Sequence, residues 1–284
     1  MARPQQLTLT MGNGCATTMN NTETVRRHFV QVIRWLAPAS CLLCRCPHNR
    51  ARAICADCEA AFSINHRACQ RCALPFQTEA GLGPSRSGSR ASAHRYLCRH
   101  CLRQPPHFVS AYAPYLMRTG IRDLIHLWKF QNRPQLTALL ADLLVSLMPP
   151  GSTDSLMAPG GAQTILVPVP TQWRRQVRRG FDHTWLLTNA IRSHCSQPVL
   201  VRPWLKNRHY RSAQHRLSKK RRLADTQDRF LAHPTIAGHR VVLIDDVMTT
   251  GATARAAARA CAEAGAQSVA VWCLARTPAP FSVE

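Results

Sequence analysis

The sequence predicts an α/β protein in which a parallel sheet flanked by helices follows a small cysteine-rich domain. Strand-like and helix-like periodicities alternate from Phe108 onward, and four Cys-x-x-Cys pairs lie between residues 41 and 101 of the 284 residues. Hydrophobic residues make up 45% of the chain, enough to bury a core, which excludes wholesale disorder.

The charge of the chain is strongly positive. Lys and Arg number 37 against 14 Asp and Glu, a formal net charge of +23. This excess favours an anionic partner such as a phosphorylated ligand or nucleic acid. The longest apolar helical stretch, residues 136–148, is interrupted by Asp142 and is shorter than the roughly 18 residues a bilayer span needs, so we expect no transmembrane segment.

The first residues lack the apolar core of a secretory signal, so we expect the chain to stay in the reducing cytoplasm. In that compartment 13 cysteines are unsuited to a disulfide framework, and a redox dithiol is the alternative to metal binding. Two Cys-x-x-Cys turns about 10 to 20 residues apart complete a tetrahedral zinc site. In chain order the four pairs predict two structural zinc sites, one with Cys41, Cys44, Cys55 and Cys58 and one with Cys69, Cys72, Cys98 and Cys101. Cross-braced pairing and a ligand exchange with Cys46 stay open.

Upstream of the cysteines, apolar residues from Val25 to Leu36 recur at helical spacing among arginines. They predict a basic amphipathic helix that packs on its own domain rather than on a membrane. The predicted organisation is a disordered tail over residues 1–23, the helix and a double zinc ribbon over 24–104, and the sheet domain over 105–284.

The sheet domain is predicted element by element from hydrophobic periodicity. Its strands are predicted at residues 108–115, 164–169, 199–204, 240–244 and 268–274, and its helices at 120–130, 134–148, 182–195 and 253–264. A Gly/Pro-rich linker covers 149–162. In parallel sheets of this kind, ligands bind beyond the carboxyl ends of the strands.

Residues 241–253, VVLIDDVMTTGAT, carry the most informative pattern. Four apolar residues predict a buried strand, Asp245 and Asp246 lie at its carboxyl end, and a Thr/Gly turn opens an Ala-rich helix. Backbone N–H groups of such a turn form an anion-binding nest, to which threonine hydroxyls add donors. The predicted phosphate ligands are Thr249, Thr250, Gly251, Ala252 and Thr253.

Two carboxylates beside a phosphate nest would repel a bare anion, so the ligand must also offer hydroxyls, a metal ion or developing positive charge. A 5-phosphoribosyl group offers all three. Its phosphate suits the nest, its ribose hydroxyls can donate to Asp245 and Asp246, and loss of pyrophosphate leaves an oxocarbenium-like centre that carboxylates stabilise. Mg²⁺ would be held through the pyrophosphate. We therefore predict Asp245 and Asp246 as catalytic residues.

This segment resembles the 5-phosphoribosyl 1-diphosphate motif of type I phosphoribosyltransferases. Over nearly everything from Cys41 to Thr277, the chain resembles the ComF family (ComF/ComFC/GntX), which joins a double zinc ribbon to that fold. The similarity includes residues 124–130 (LIHLWKF), 167–170 (VPVP), 178–181 (RRGF), Gln214 with residues 217–218 (LS), and 271–277 (VWCLART). Asp182-His183 stands where the family usually has Asn-Gln, Arg221 replaces a Glu and Asp225 an Asn, changes that bear on turnover more than on ligand binding.

The resemblance implies phosphoribosyltransferase chemistry and a role in natural competence, the handling of imported single-stranded DNA in bacteria. Candidate partners are 5-phosphoribosyl 1-diphosphate, single-stranded DNA, and a competence helicase or other DNA-processing proteins. The alternative is a non-catalytic zinc-ribbon DNA-binding or helicase-adaptor protein with a vestigial phosphoribosyl site.

Half of the net charge of +23 lies between residues 172 and 230, which contain 15 Lys and Arg and three Asp, a net of 15 − 3 = +12. We predict two basic loops there, one with Arg174, Arg175, Arg178 and Arg179, the other running from Arg208 to Arg222 and including Arg211. Related transferases use the corresponding loops to bind pyrophosphate and to close a catalytic lid. The resemblance therefore implies that Arg178 and Arg179 contact pyrophosphate and that Arg211, in the lid, is also a ligand-binding residue. Lys129, at a helix end, is predicted to contact the diphosphate.

Overall fold

The computed structural model describes residues 39–76, 96–148, 162–195, 199–208 and 229–279. The predicted tail, the amphipathic helix, most of the 149–162 linker and the basic segment around Arg211 lie outside the described residues. By its internal contacts the chain divides into two compact units, Met1–Cys55 and Ala56–Glu284. The predicted domain boundary at residues 104 and 105 stays a prediction.

The described part of the first unit is a short β-ribbon. Strand β1 (Ala39–Ser40) pairs antiparallel with β2 (Pro47–His48). The turn between them is closed by the backbone N–H of Arg45, which donates to the carbonyl of Cys41 at 2.9 Å, and Arg45 has a φ of 64°. This tight turn carries Cys41 and Cys44.

The second unit holds a parallel α/β sheet. Along the chain its elements are α1 (Ala56–Ala60), α2 (Arg99–Arg103), β3 (Ser110–Tyr112), β4 (Tyr115–Leu116), α3 (Ile121–Phe130), α4 (Leu136–Ser146), β5 (Thr164–Pro168), α5 (Trp173–Arg179), α6 (His183–Arg192), β6 (Leu200–Val201), β7 (Leu205–Asn207), β8 (Phe230–Ala232), β9 (Arg240–Met248), α7 (Ala252–Glu263) and β10 (Ser268–Arg276).

Strand β9 lies at the centre of this sheet. The order is β3-β10-β9-β5-β6, β4 also pairs with β10, and all these pairings are parallel. Leu243 of β9 aligns with Val271 of β10 and Val167 of β5, and all three are fully buried. The predicted parallel sheet flanked by helices is confirmed, and its strand ends meet at one edge.

Helices cover both faces of β9. On one face α7 packs against β9 and β10, where its alanines allow a close approach to Val241 and Leu243. On the other face α6 packs on β5 and β9, and α4 packs on α6 and β10. Because side chains alternate along a strand, Asp245 and Asp246 point to opposite faces. Within the described ranges, no helix has both the length and the apolar content that a bilayer span requires.

The first predicted basic loop is wrong, because Arg174, Arg175, Arg178 and Arg179 lie in helix α5. The helix ends where Gly180, with a φ of 77°, adopts the left-handed conformation and its N–H donates to the carbonyls of Gln176 and Val177. The signal missed was this glycine directly after the last arginine.

Strand β9 is also longer than predicted. It continues to Met248 because β10 pairs with it along its whole length, with Cys273 beside Asp245 and Arg276 beside Met248. The two acids therefore lie within the strand rather than after it. The predicted strand at 108–115 is two short strands, β3 and β4. The antiparallel β7–β8 pair was not predicted.

Candidate functional site

Two groups of four cysteines are arranged to bind zinc. In each group the four sulfur atoms lie within 4.8 Å of one another, and the groups are Cys41, Cys44, Cys55, Cys58 and Cys69, Cys72, Cys98, Cys101. The Sγ atoms of Cys44 and Cys55 are 3.7 Å apart and those of Cys72 and Cys98 3.6 Å. A tetrahedral zinc with Zn–S bonds of about 2.3 Å separates its sulfurs by about 3.8 Å. The two groups are Cys₄ zinc-binding sites, paired in chain order as predicted rather than cross-braced.

Backbone N–H groups already favour thiolates at these sites. The N–H groups of Leu43 and Cys55 each donate to the Sγ of Cys41 at 3.4 Å, and that of Cys98 donates to the Sγ of Cys69 at 3.3 Å. Burial alone would raise the pKa of both thiols, but backbone donors lower the pKa of Cys41 to about 6, with Cys44 the strongest, and that of Cys69 to about 7, with Cys98 the strongest. Thiolate is the form that binds zinc.

Cys46 stands apart from the first site, with its thiol donating to the carbonyl of Cys44 at 3.9 Å. Among the described residues no histidine joins either group. Cys261 and Cys273 are fully buried in the core, as expected of small apolar side chains.

Asp246 lies in a buried ion-paired cluster. It is 7% exposed, and its Oδ2 contacts the Nζ of Lys129 and, at 2.6 Å, the Nε2 of His183. Lys129 comes from the last turn of α3, and His183 is the first residue of α6. Burial would raise the pKa of Asp246, but these two partners hold it well below the usual range of an aspartate.

The cluster continues through His183 to Arg179. The Nδ1 of His183 lies 3.0 Å from a terminal nitrogen of Arg179 and 3.3 Å from the Oγ1 of Thr171. With Nε2–H directed at Asp246, Nδ1 can accept from Arg179. Arg179 is 8% exposed and lies over the ring of Phe130, 5.3 Å from its centroid. Lys129, Asp246, His183 and Arg179 therefore form one buried charge network.

Asp245 has a different environment. It is half-buried, and its Oδ1 accepts the N–H of Asp246 at 2.9 Å. Burial, and then the charge of Asp246, raise the pKa of Asp245 to about 7. Near neutral pH this carboxyl can therefore either accept from or donate to a hydroxyl.

The predicted anion nest lies between β9 and α7. Thr249 and Thr250 are exposed, and Gly251 adopts the left-handed conformation with a φ of 81° as the N-cap of α7. The Oγ1 of Thr250 accepts the N–H of Ala252 at 3.3 Å. A left-handed residue at the start of a 12-residue helix directs successive N–H groups outward, toward an anion.

The structure thus gathers Asp245, Asp246, Lys129 and Arg179 with the nest residues around the end of β9. Arg178 is exposed on α5, and Arg211 lies outside the described residues. His183 was missed as a partner of Asp246. The signal available was a histidine directly after Asp182, the N-cap of α6.

Arg276, the last residue of β10, was also missed. It is 4% exposed, and its terminal N–H groups donate to the carbonyls of Met248 and Thr277, at 2.8 and 3.0 Å, and of Thr249. The signal was an arginine that ends an otherwise apolar strand.

Comparison with known proteins gives the class of protein. Residues 204–281 match the model of the phosphoribosyl transferase domain, and residues 32–102 match that of the double zinc ribbon domain. The chain is a double zinc ribbon joined to a phosphoribosyltransferase domain.

Full-length relatives identify the family. The DNA utilization protein YhgH of Escherichia coli strain K12 is 30% identical over 250 residues, covering 84% of this chain and 98% of the relative. YhgH of Salmonella typhimurium is 32% identical over 249 residues with the same coverage. Competence protein F of Haemophilus influenzae is 29% identical over 195 residues, covering 66% and 82%. The chain belongs to the ComF/YhgH family, which confirms the resemblance.

Proposed function

We propose that this protein binds 5-phosphoribosyl 1-diphosphate at the end of β9 and acts in the utilisation of DNA. The observation that supports this ligand is the nest at Gly251. It lies six residues after a half-buried acid, Asp245, in the same strand-turn-helix segment. The role in DNA is supported by the names of the relatives, DNA utilization protein and competence protein.

In this proposal the nest binds the 5-phosphate and Asp245 binds the ribose hydroxyls. Asp246 acts differently from the original prediction, because Lys129 already neutralises its charge and His183 already donates to it. We assign Asp246 to holding the side chains of Lys129 and His183 beside the sugar, where Lys129 can contact the diphosphate once the ligand arrives.

Charge stabilisation is the chemistry that this arrangement offers. Departure of pyrophosphate leaves positive charge on the sugar carbon, which the carboxylate of Asp245 can stabilise. Mg²⁺ carried on the pyrophosphate would neutralise part of its charge, and the half-buried oxygens of Asp245 are the ligand type that this ion prefers. A screen of nucleobases for pyrophosphate release tests whether transfer follows binding.

The binding proposal predicts that Thr250→Val lowers the affinity for 5-phosphoribosyl 1-diphosphate about fivefold to tenfold. Calorimetric titration in the presence of Mg²⁺ measures this change. Valine keeps the shape of threonine but loses the hydroxyl that orders the N–H of Ala252, a loss of about 1 kcal/mol or slightly more. The matched control is Thr235→Val, an exposed threonine in the 3₁₀ turn Pro234–Ile236, which should bind as wild type. Wild-type protein that releases no binding heat and shows no change in melting temperature contradicts the proposal.

A second candidate function, contact with single-stranded DNA, is favoured by helix α5. Trp173 and Val177 are 59% and 71% exposed and lie one helical turn apart, with exposed Arg178 next to Val177. An exposed aromatic ring for base stacking beside arginines for phosphates is the composition of single-strand binding surfaces.

For this candidate we expect Trp173→Ala to weaken binding of a fluorescent oligonucleotide by about 1 to 3 kcal/mol, through the loss of base stacking. Arg178→Gln should instead reduce the slope of log affinity against log salt by about one phosphate contact. The control is Trp185→Ala, at a tryptophan on α6 that is 37% exposed, and it should leave both the affinity and its salt dependence unchanged. An affinity that is independent of salt removes this candidate.

The reducing cytoplasm is the compartment that we propose, since eight thiolates arranged for zinc require reducing conditions.

A further inference from the structure

The second zinc site is built into the core of the phosphoribosyltransferase domain. Cys69, Cys72, Cys98 and Cys101 are all buried and belong to the same hydrophobic cluster as Leu243 of β9, Val271 of β10 and the alanines of α7. A displacement of this site therefore shifts the strands and the helix that carry the nest, because close-packed interiors transmit strain.

Arg276 links this site to the chain that enters the nest. Its Nε–H donates to the carbonyl of Cys72 at 3.1 Å, while its terminal N–H groups donate to the carbonyls of Met248, at 2.8 Å, and Thr249. The guanidinium is planar, so its donors keep a fixed geometry. One buried side chain thus fixes a zinc ligand's backbone against the residues that open the nest.

Arg255 links the site to the chain that leaves the nest. Its backbone N–H donates to the carbonyl of Gly251 at 2.9 Å, in the first turn of α7. Its side chain donates to the carbonyl of Gln104 at 3.1 Å and contacts the Sγ of Cys101 at 4.0 Å. A Cys₄ zinc site carries two negative charges, which attract this guanidinium.

We propose that the second zinc site sets the geometry of the phosphate nest, with Arg276 and Arg255 as positioning residues on either side of it. The inference rests on the proposed ligand of the nest and adds a coupling between two sites. Zinc binding at the second site and phosphate binding at the nest then stabilise each other, because a coupling free energy is reciprocal.

The first experiment measures zinc release from the full chain to a chromogenic chelator, with and without 5-phosphoribosyl 1-diphosphate. We expect the ligand to slow the release of one of the two zinc ions by about fivefold, the lower range of such couplings, and to leave the other unchanged. Cys44→Ser removes a zinc ligand of the first site, and the phosphoribosyl compound should still slow the release of the zinc that remains at the second site. Bound ligand that slows neither ion overturns the inference.

The second experiment uses Arg255→Ala, which favours the helix and so preserves α7. The variant should retain two zinc ions, bind the ligand about tenfold more weakly, and lose the slowing of zinc release. Arg276→Lys, which keeps the charge but has no planar fork, should act in the same direction. The control is Arg259→Ala, on the same helix, where Arg259 pairs with Glu263 at 2.7 Å. If Arg255→Ala keeps both the affinity and the slowing, the inference is wrong.

Hydrogen exchange separates failure of this inference from failure of the proposed ligand. Without any ligand, amides of residues 248–253 should exchange about tenfold faster in Arg255→Ala and Arg276→Lys than in wild type or Arg259→Ala, through easier local opening. This result supports the positioning role even if wild type binds no phosphoribosyl compound. Unchanged exchange in both variants overturns it.

Discussion

Asp245→Asn is expected to make the folded protein more stable and to lower its affinity for the phosphoribosyl ligand. Burial and the charge of Asp246 raise the pKa of Asp245 to about 7. When folding raises the pKa of a carboxyl, the folded protein loses stability as the pH rises from the pKa of that group in the unfolded chain, about 4, to its pKa in the folded protein. Asn has no proton to lose, so we expect a gain on the order of 2 kcal/mol above pH 7, moderated by partial exposure to solvent.

The same substitution removes the charged acceptor for the ribose hydroxyls. Hydrogen bonds to charged groups contribute about 1.5 to 3 kcal/mol, so affinity should fall about 10- to 100-fold. Urea unfolding from pH 4 to pH 9 and calorimetric titration check the two effects. The unfolding free energies of variant and wild type should converge near pH 4 and separate above it. Asp142→Asn, a half-buried aspartate on α4, is the binding control. A variant less stable than wild type at pH 8 contradicts this account of Asp245.

Asp246→Asn, one residue along, is expected to have the opposite effect on stability. The substitution leaves the buried side chains of Lys129 and His183 without their anion, and breaking a buried pair in this way costs about 3 to 5 kcal/mol. Because folding lowers the pKa of Asp246, its stabilisation is present above the unfolded pKa and is lost as the pH falls. The cost of the variant should therefore be largest at neutral pH and shrink below about pH 4.

Urea unfolding at pH 7 and at about pH 2, below the unfolded pKa of an aspartate, measures this cost and its pH dependence. The double variant Asp246→Asn with Lys129→Met should recover part of the loss, because the unpaired cation is removed as well. A single variant as stable as wild type at pH 7 would show that the pair contributes nothing, and with it the assigned role of Asp246 would fail.

Local patterns were sufficient to predict the sheet and the zinc sites. Residues 241–244 are apolar without interruption because β9 is covered on both faces, and buried parallel strands have this composition. The repeated Cys-x-x-Cys spacing predicted both groups of sulfurs, since each turn brings its two thiols together locally. Gly251, in the left-handed conformation, is where the pattern placed the turn.

Contacts between residues distant in sequence could not be predicted. Asp246 is 63 residues from His183 in the chain. Because the strand was predicted to end at residue 244, the alternation that places Asp245 and Asp246 on opposite faces of β9 was not applied to them. Arg276 meets Cys72 across 204 residues, so nothing in its neighbourhood in the chain indicates the contact. Helix α5 was mistaken for a loop because helices were predicted from apolar periodicity, which its arginines do not provide. Arginine itself favours helices, but that preference alone does not predict one.

The central claim is that one site binds a sugar phosphate by both of its ends, the phosphate at the Gly251 nest and the hydroxyls at Asp245. Calorimetric titration of ribose 5-phosphate against 2-deoxyribose 5-phosphate tests it most directly. The account predicts that wild type prefers the ribose compound by about tenfold, the contribution of one hydrogen bond to a charged group, and that Asp245→Asn loses the preference. Equal affinity of wild type for the two sugars, or binding of neither, would contradict it.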